Sequence, residues 1–191
     1  YKSPVIHAFP WIAKGIKEAD VDDGWSVSIN RILSNKDLLL DPKRLCRKYI
    51  ELVDSIKERE HYSLLDICDI VPEGWKGKKN ANVYRYVEIS NVNGVAYEFQ
   101  ELRGWQLPSR AKHKVEKGDI FIGSVWGSVG KWFMAGAEAD EGNLIATNGF
   151  YRLKLKPGKE HLLPDLIFAL SSEFYRVQMR GLATGSDGLA E

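Results

Sequence analysis

Residues 115–134 read V-E-K-G-D-I-F-I-G-S-V-W-G-S-V-G-K-W-F-M, and the rest of the architecture can be worked out from them. Apolar Ile120, Ile122 and Val125 alternate with their neighbours, Gly127-Ser128 interrupts the alternation, and a second apolar run follows over 129–134. Period-two patterning on both sides of a glycine-containing break predicts a β-hairpin. Its tip carries Trp126, Ser128 and Lys131.

Upstream, Val83, Arg85, Val87 and Ile89 alternate with Tyr84, Tyr86 and Glu88, the mark of another strand. Asn93-Gly94 between residues 90–92 and 95–97 is a strong tight-turn signal. Ser63 with Asp66 three residues on is a capping pattern, so residues 63–71 are expected to hold a short helix that Pro72-Glu73-Gly74 stops. Downstream, residues 143–149 read as a polar, glycine-flanked loop and 150–155 as a strand. Pro164 opens a helix with a stripe of Ile167, Leu170, Phe174 and Val177 that ends near Gly181. Short strands bracketed by helices predict an α+β fold with a twisted, mostly antiparallel sheet flanked by helices.

Residues 1–40 have an irregular pattern, with one short strand expected around residues 25–29. Asp41 and Pro42 open a helix to about Arg59, whose Leu45, Tyr49, Leu52, Val53 and Ile56 lie on one face. Such a stripe has to pack on something, either its own domain or a partner helix. The expected division is an N-terminal helical arm or linker over residues 1–61 and a folded domain over 62–191. The first residue is Tyr1, which suggests an excised piece or a processed product.

The chain has 191 residues, 28% charged, 44% hydrophobic and 11% aromatic, a composition that folds. No apolar run reaches the roughly eighteen residues of a membrane span and no segment resembles a signal peptide, so a cytoplasmic protein is expected. Cys46 and Cys68 lack metal-site spacing and are expected to be buried free thiols. His7, His61, His113 and His161 are scattered, so no metal site is expected either. Net charge is only +1, but residues 76–131 hold ten Lys or Arg against five acids. That local excess suits a surface for phosphates.

Taken in order, these segments resemble the target recognition domain of type I restriction-modification specificity subunits. L-L-D-I-C-D-I-V-P-E-G (64–74) is similar to its opening and Y-R-Y-V-E-I-S-N-V-N-G (84–94) to its next strand and turn. Residues 115–131 resemble its K-G-D hairpin with a G-S-x-G-K tip, and 163–185 its closing helix with a small-residue end. Trp126 departs from the pattern, standing where an arginine or another polar residue is expected. W-S-V-S-I-N-R (25–31) and L-L-L-D-P-K-R-L (38–45) are similar to the tail of an adenine-specific DNA methyltransferase.

The resemblance implies sequence-specific binding of double-stranded DNA on behalf of an adenine-N6 methyltransferase subunit or domain, with or without a restriction nuclease. S-adenosylmethionine would belong to that partner, leaving no cofactor in this chain. The family's flanking helices hold methyltransferase subunits, which would make Leu45, Tyr49, Leu52, Val53 and Ile56 partner-binding. Phosphate contacts require cations, for which Lys76, Lys78, Lys79, Lys112, Lys114 and Lys131 are candidates. Base edges require forked or amide groups, offered by Arg85, Arg110, Asn80, Asn82, Asn143 and Asn148. Trp126 could stack on a base, beside Ser128 at the tip. Catalytic residues are not expected. There is no N-P-P-Y or D-P-P-Y box and no G-x-G-x-x-G loop, and Pro164-Asp165 with Glu173 lacks the lysine of a nuclease core. The alternative function is a protein-interaction scaffold with no direct DNA readout.

Overall fold

The alternation around the hairpin produces the strands it predicts. In the computed structural model, which describes residues 5–7, 26–33, 45–77, 80–93 and 96–182, β9 (Ile120–Gly123) pairs antiparallel with β10 (Trp132–Met134). Phe121 stands opposite Phe133 and Ile122 opposite Trp132. The strands β1 (Val5–His7), β2 (Ser26–Ser28), β3 (Cys68–Val71), β4 (Val83–Val87), β5 (Val92–Asn93), β6 (Ala96–Tyr97), β7 (Gln100–Arg103), β8 (Ala111–Lys114), β11 (Leu144–Thr147) and β12 (Phe150–Leu155) complete the set. The helices are α1 (Ile29–Leu33), α2 (Arg47–Lys57), α3 (Leu64–Ile67), α4 (Leu163–Ser171) and α5 (Glu173–Leu182). The fold is α+β, and among the described residues no helix is long and apolar enough to cross a membrane.

The chain forms two compact units, residues 1–58 and 59–191. In the first, β1 pairs antiparallel with β2, and Arg31 of α1 makes two hydrogen bonds, of 2.8 and 2.6 Å, to the Asp54 carboxylate of α2. The guanidinium lies against Asp54 and holds its carboxyl below the usual range. Helix α2 begins at Arg47 with Cys46 at its N-cap, so Leu45 precedes it, while Asp41 and Pro42 lie outside the described residues. Ile50 and Leu52 are its buried residues; Tyr49, Val53 and Ile56 are half-buried. Cys46 is exposed, against expectation, because it sits at a helix start rather than within a packed face; Cys68 is buried.

In the second unit two four-stranded sheets lie face to face. The first has the order β10-β9-β12-β3 and is antiparallel throughout; the second has the order β7-β4-β11-β8 with β4 and β11 parallel. A parallel pair requires a long crossover, supplied here by the intervening chain from β5 to β10. Phe121, Phe133 and Phe150 of the first sheet meet Val87, Leu144 and Ala146 of the second in a dry core. Phe121 and Phe133 stack with centroids 4.8 Å apart, and Phe150 stands edge-on to both. The outer face of the first sheet buries Ile120, Ile122, Trp132 and Leu153 under Leu166 and Leu170 of α4. On the outer face of the second, Trp75, Tyr84 and Leu107 pack around Tyr86, Ala111 and Ile145.

Three segments differ from the sequence expectation. Residues 68–71 are a strand paired with β12, not the end of a helix, so only residues 64–67 turn; Ser63 N–H donates to Asp66 Oδ2 at 2.8 Å, as its capping pattern requires. Residues 144–147 are an interior strand instead of a loop, with every side chain buried, so there is no alternation to read. The closing helix breaks at Ser172, whose backbone is extended and whose hydroxyl accepts the Tyr175 N–H at 3.2 Å to start α5. Phe174 is consequently exposed, whereas Val177 is buried.

His113 of β8 lies between the sheets, its Nε2 3.1 Å from the Phe150 carbonyl and its Nδ1 without a hydrogen-bond partner among the described residues. Burial is the main cause of its depressed pKa, against a partial opposing pull from Glu73 and Asp119. The unfolded chain therefore takes up this proton first, and stability should be complete above pH 6.5 and fall as pH drops below it. Denaturant midpoints at pH 7.5 and 5.5 should differ for the wild type and differ less for His113→Gln; equal shifts would remove His113 as the cause.

Candidate nucleic-acid interface

The parallel strands β4 and β11 run side by side, Val87 level with Ala146, so the segments that follow them emerge together. A surface cleft of about 290 Å³ opens there, lined by Glu88, Ile89, Ser90, Arg110, Thr147, Asn148 and Gly149. Its walls are fixed by backbone hydrogen bonds. Asn148 N–H donates to the Arg110 carbonyl at 2.8 Å, and Asn91 Oδ1 accepts the Glu88 N–H at 3.2 Å. The Ser124 N–H and hydroxyl donate to the Gly149 carbonyl at 3.0 and 2.9 Å. That contact brings the hairpin to the side of the cleft. At its mouth the Arg110 guanidinium and the Glu88 carboxylate form an ion pair.

Beside the cleft runs β8, the edge of the second sheet. A bulge between Ala146 and Thr147 sets Ala111 and His113 on opposite faces, leaving Lys112 as the extra residue. The Lys112 carbonyl accepts both the Gly74 and Trp75 N–H groups, at 3.3 and 3.0 Å, which fastens the 72–77 segment to this edge with Lys76 next in line. Lys76 and Lys114 are exposed and Lys112 half-buried; among the described residues none of the three makes an ion pair. Residues 111–114 therefore form a basic strand edge.

The remaining candidates divide. Asn148 is exposed at the cleft, but Lys131 is tied down, its Nζ donating to the Ile89 carbonyl at 2.8 Å. Ser128 does not face solvent. It is 0% exposed, and its hydroxyl closes the tip by donating to the Val125 carbonyl at 2.8 Å. Residues 126–128 form a 3-10 turn, the Trp126 side chain lying outside what is described, as do Lys78 and Lys79. Arg85 is a correction as well. It is 8% exposed and bonded to Asn143 Oδ1 at 3.1 Å, to the Glu138 carbonyl and to Glu141 at 3.1 Å. Arg85 and Asn143 thus brace one another at the other end of the second sheet. There too, Asn80 is engaged in its own turn through Tyr84 and the Asn82 N–H. Asn82 is exposed at that end, away from the cleft. Sequence reasoning missed Glu88, Ser90 and Thr147; the only signal was that Glu88 ends a strand.

The second unit is thus a two-sheet α+β module with a polar cleft at one end and a basic edge beside it. No family model matches the chain, and no curated protein matches it. Among solved structures it is similar to the HsdS subunit from Thermoanaerobacter tengcongensis, at 19% identity over 45% of this chain and 23% of that one, with a TM-score of 0.39. It is also similar to a chain from a structure on complex assembly and conformational transition of the type I R-M system, at 18% identity over 59% of this chain and 34% of that one, with a TM-score of 0.43. The chain spans about a quarter to a third of the length of these two. At such scores the likeness carries no function across.

Proposed function

We propose that residues 59–191 recognise double-stranded DNA by sequence and direct an adenine-N6 methyltransferase to it, with or without a restriction nuclease. What carries the proposal is the basic edge formed by Lys112 and Lys114 of β8 with Lys76 of the segment fastened to it, three cations that make no ion pair among the described residues, beside a polar cleft. Phosphates attract uncompensated positive charge and fix a protein on the duplex, while polar groups in a neighbouring cleft are placed for base edges. The motif order across residues 62–191 supports the same reading. Catalysis and S-adenosylmethionine binding are assigned to the partner, and the half-buried Leu45, Tyr49, Val53 and Ile56 to its docking; Leu52, expected in the same stripe, is buried in its own unit and is left out of that surface.

The test is duplex binding at several salt concentrations with the wild type and with Lys112→Glu/Lys114→Glu. Wild-type affinity should fall steeply with salt. The variant should bind all sequences about an order of magnitude more weakly, with a slope of log K against log salt shallower by about 2. Unchanged affinity and slope would overturn the surface assignment. No duplex binding by the wild type, together with a stable protein complex, would favour the interaction scaffold.

A further inference from the structure

We infer that the Arg110–Glu88 pair at the mouth of the cleft reads one G·C base pair in the major groove. The inference rests on the DNA-reading function proposed above and deepens it. Two kinds of positive charge border the cleft. Lys76, Lys112 and Lys114 make no ion pair among the described residues, which leaves their ammonium groups open to anionic phosphates. Arg110 is compensated by Glu88, although its side chain stays 56% exposed and reaches solvent. A neutral unit of donor and acceptor side by side is poorly suited to a phosphate and well suited to a base pair, which is itself neutral.

The chemistry narrows the base pair further. In the major groove guanine presents two neighbouring acceptors, O6 and N7, and its cytosine partner presents the N4 donor next to O6. The guanidinium fork supplies paired donors to the first two, and a carboxylate accepts from the third. Adenine offers a single acceptor, N7, beside a donor, so the fork finds only half its complement there. Glu88 has the further effect of holding the fork in place before DNA arrives. The backbone on both sides is anchored, Arg110 through its carbonyl to Asn148 and Glu88 through its N–H to Asn91, so the two side chains start from fixed points. Asn148 and Ser90 belong to the same lining and add further polar groups to it.

The experiment selects binding sites from randomised duplexes with the 191-residue chain, its Arg110→Ala, Arg110→Lys and Glu88→Ala variants, and Lys112→Glu/Lys114→Glu as reference. The wild type should enrich G·C at one fixed position. Arg110→Ala and Glu88→Ala should both lose discrimination at that same position, by roughly ten- to a hundredfold, with the salt slope kept. Arg110→Lys, which keeps the charge and lacks the fork, should lose much of it too. A second measurement needs no variant: 7-deazaguanine at that position removes N7 and should weaken wild-type binding by a comparable factor. Preference retained in both alanine variants, or a loss of affinity uniform over all sequences with 7-deazaguanine tolerated, would show the pair to be structural and overturn the inference. If the wild type still binds duplex and the lysine variant still weakens it, the proposed function survives that result. A wild type that binds no duplex ends both.

Discussion

Replacing Asp119 by alanine is expected to destabilise the second unit by about 3–5 kcal/mol. Asp119 closes the Lys117-Gly118-Asp119 turn: its Oδ2 accepts the Glu116 N–H at 2.7 Å and Arg152 Nε at 2.8 Å, while Gly118 takes the φ of +82° that lets the turn close. The carboxylate is 0% exposed. Burial pushes its pKa up, and the Glu116 amide and Arg152 oppose that rise. Removing it leaves the buried Arg152 guanidinium with Glu116 alone, an exposed partner at 3.1 Å. Denaturant unfolding measures the loss, and a double-mutant cycle with Arg152→Met identifies its origin. Most of the stability should return in the double variant, since removing both charges avoids an unpaired one. A double variant as unstable as Asp119→Ala would place the effect in the turn and not in the ion pair.

Gly123→Ala is expected to cost about 3 kcal/mol and to displace the hairpin tip. A Cβ at Gly123 would stand 2.4 Å from both the carbonyl oxygen and the hydroxyl of Ser128. Neither can retreat easily, because Ser128 N–H and Oγ are bonded to the Val125 carbonyl and Gly123 N–H to the Lys131 carbonyl. On the other side of the tip, Arg176 of α5 packs over Gly130. Gly127→Ala, in the same turn with nothing within 4 Å, is the control and should be nearly neutral. Thermal melts of the two variants should separate clearly. Similar transitions would show that the tip yields at little cost.

The sequence was legible where one face of a strand is buried and the other is not, or where a turn residue stands at the break. The hairpin, β12 and the pairing of Val92–Asn93 with Ala96–Tyr97 follow from such signals. It was not legible where both faces are covered: Leu144–Thr147 is four buried residues without alternation, between Asn143 and Asn148. Continuity misled twice, since apolar spacing runs on from α3 into β3 and from α4 into α5 although the backbone changes direction. At the site, Arg110 and Asn148 could be named from side-chain chemistry alone. Arg85 and Asn143 carry the same chemistry, but a residue's type does not say which end of a sheet it occupies or whether another residue already occupies its donors. Apart from ending a strand, Glu88 has no signal of its own in the sequence, because its arginine partner lies 22 positions away and only the fold brings the two together.

The pairing of β3 with β12 bears on how such a module can diversify. Cys68 lies opposite Leu155, and Ile67 carbonyl accepts the Lys156 N–H at 2.9 Å, so the first and last strands of the two-sheet body begin and end at adjacent positions. Gly149 and the cleft lie at the opposite end of β12. A sheet body whose first and last strands meet at one end leaves its opposite end free to vary. The loops at the cleft end can then change in sequence without disturbing the paired strand ends where the sheets begin and close.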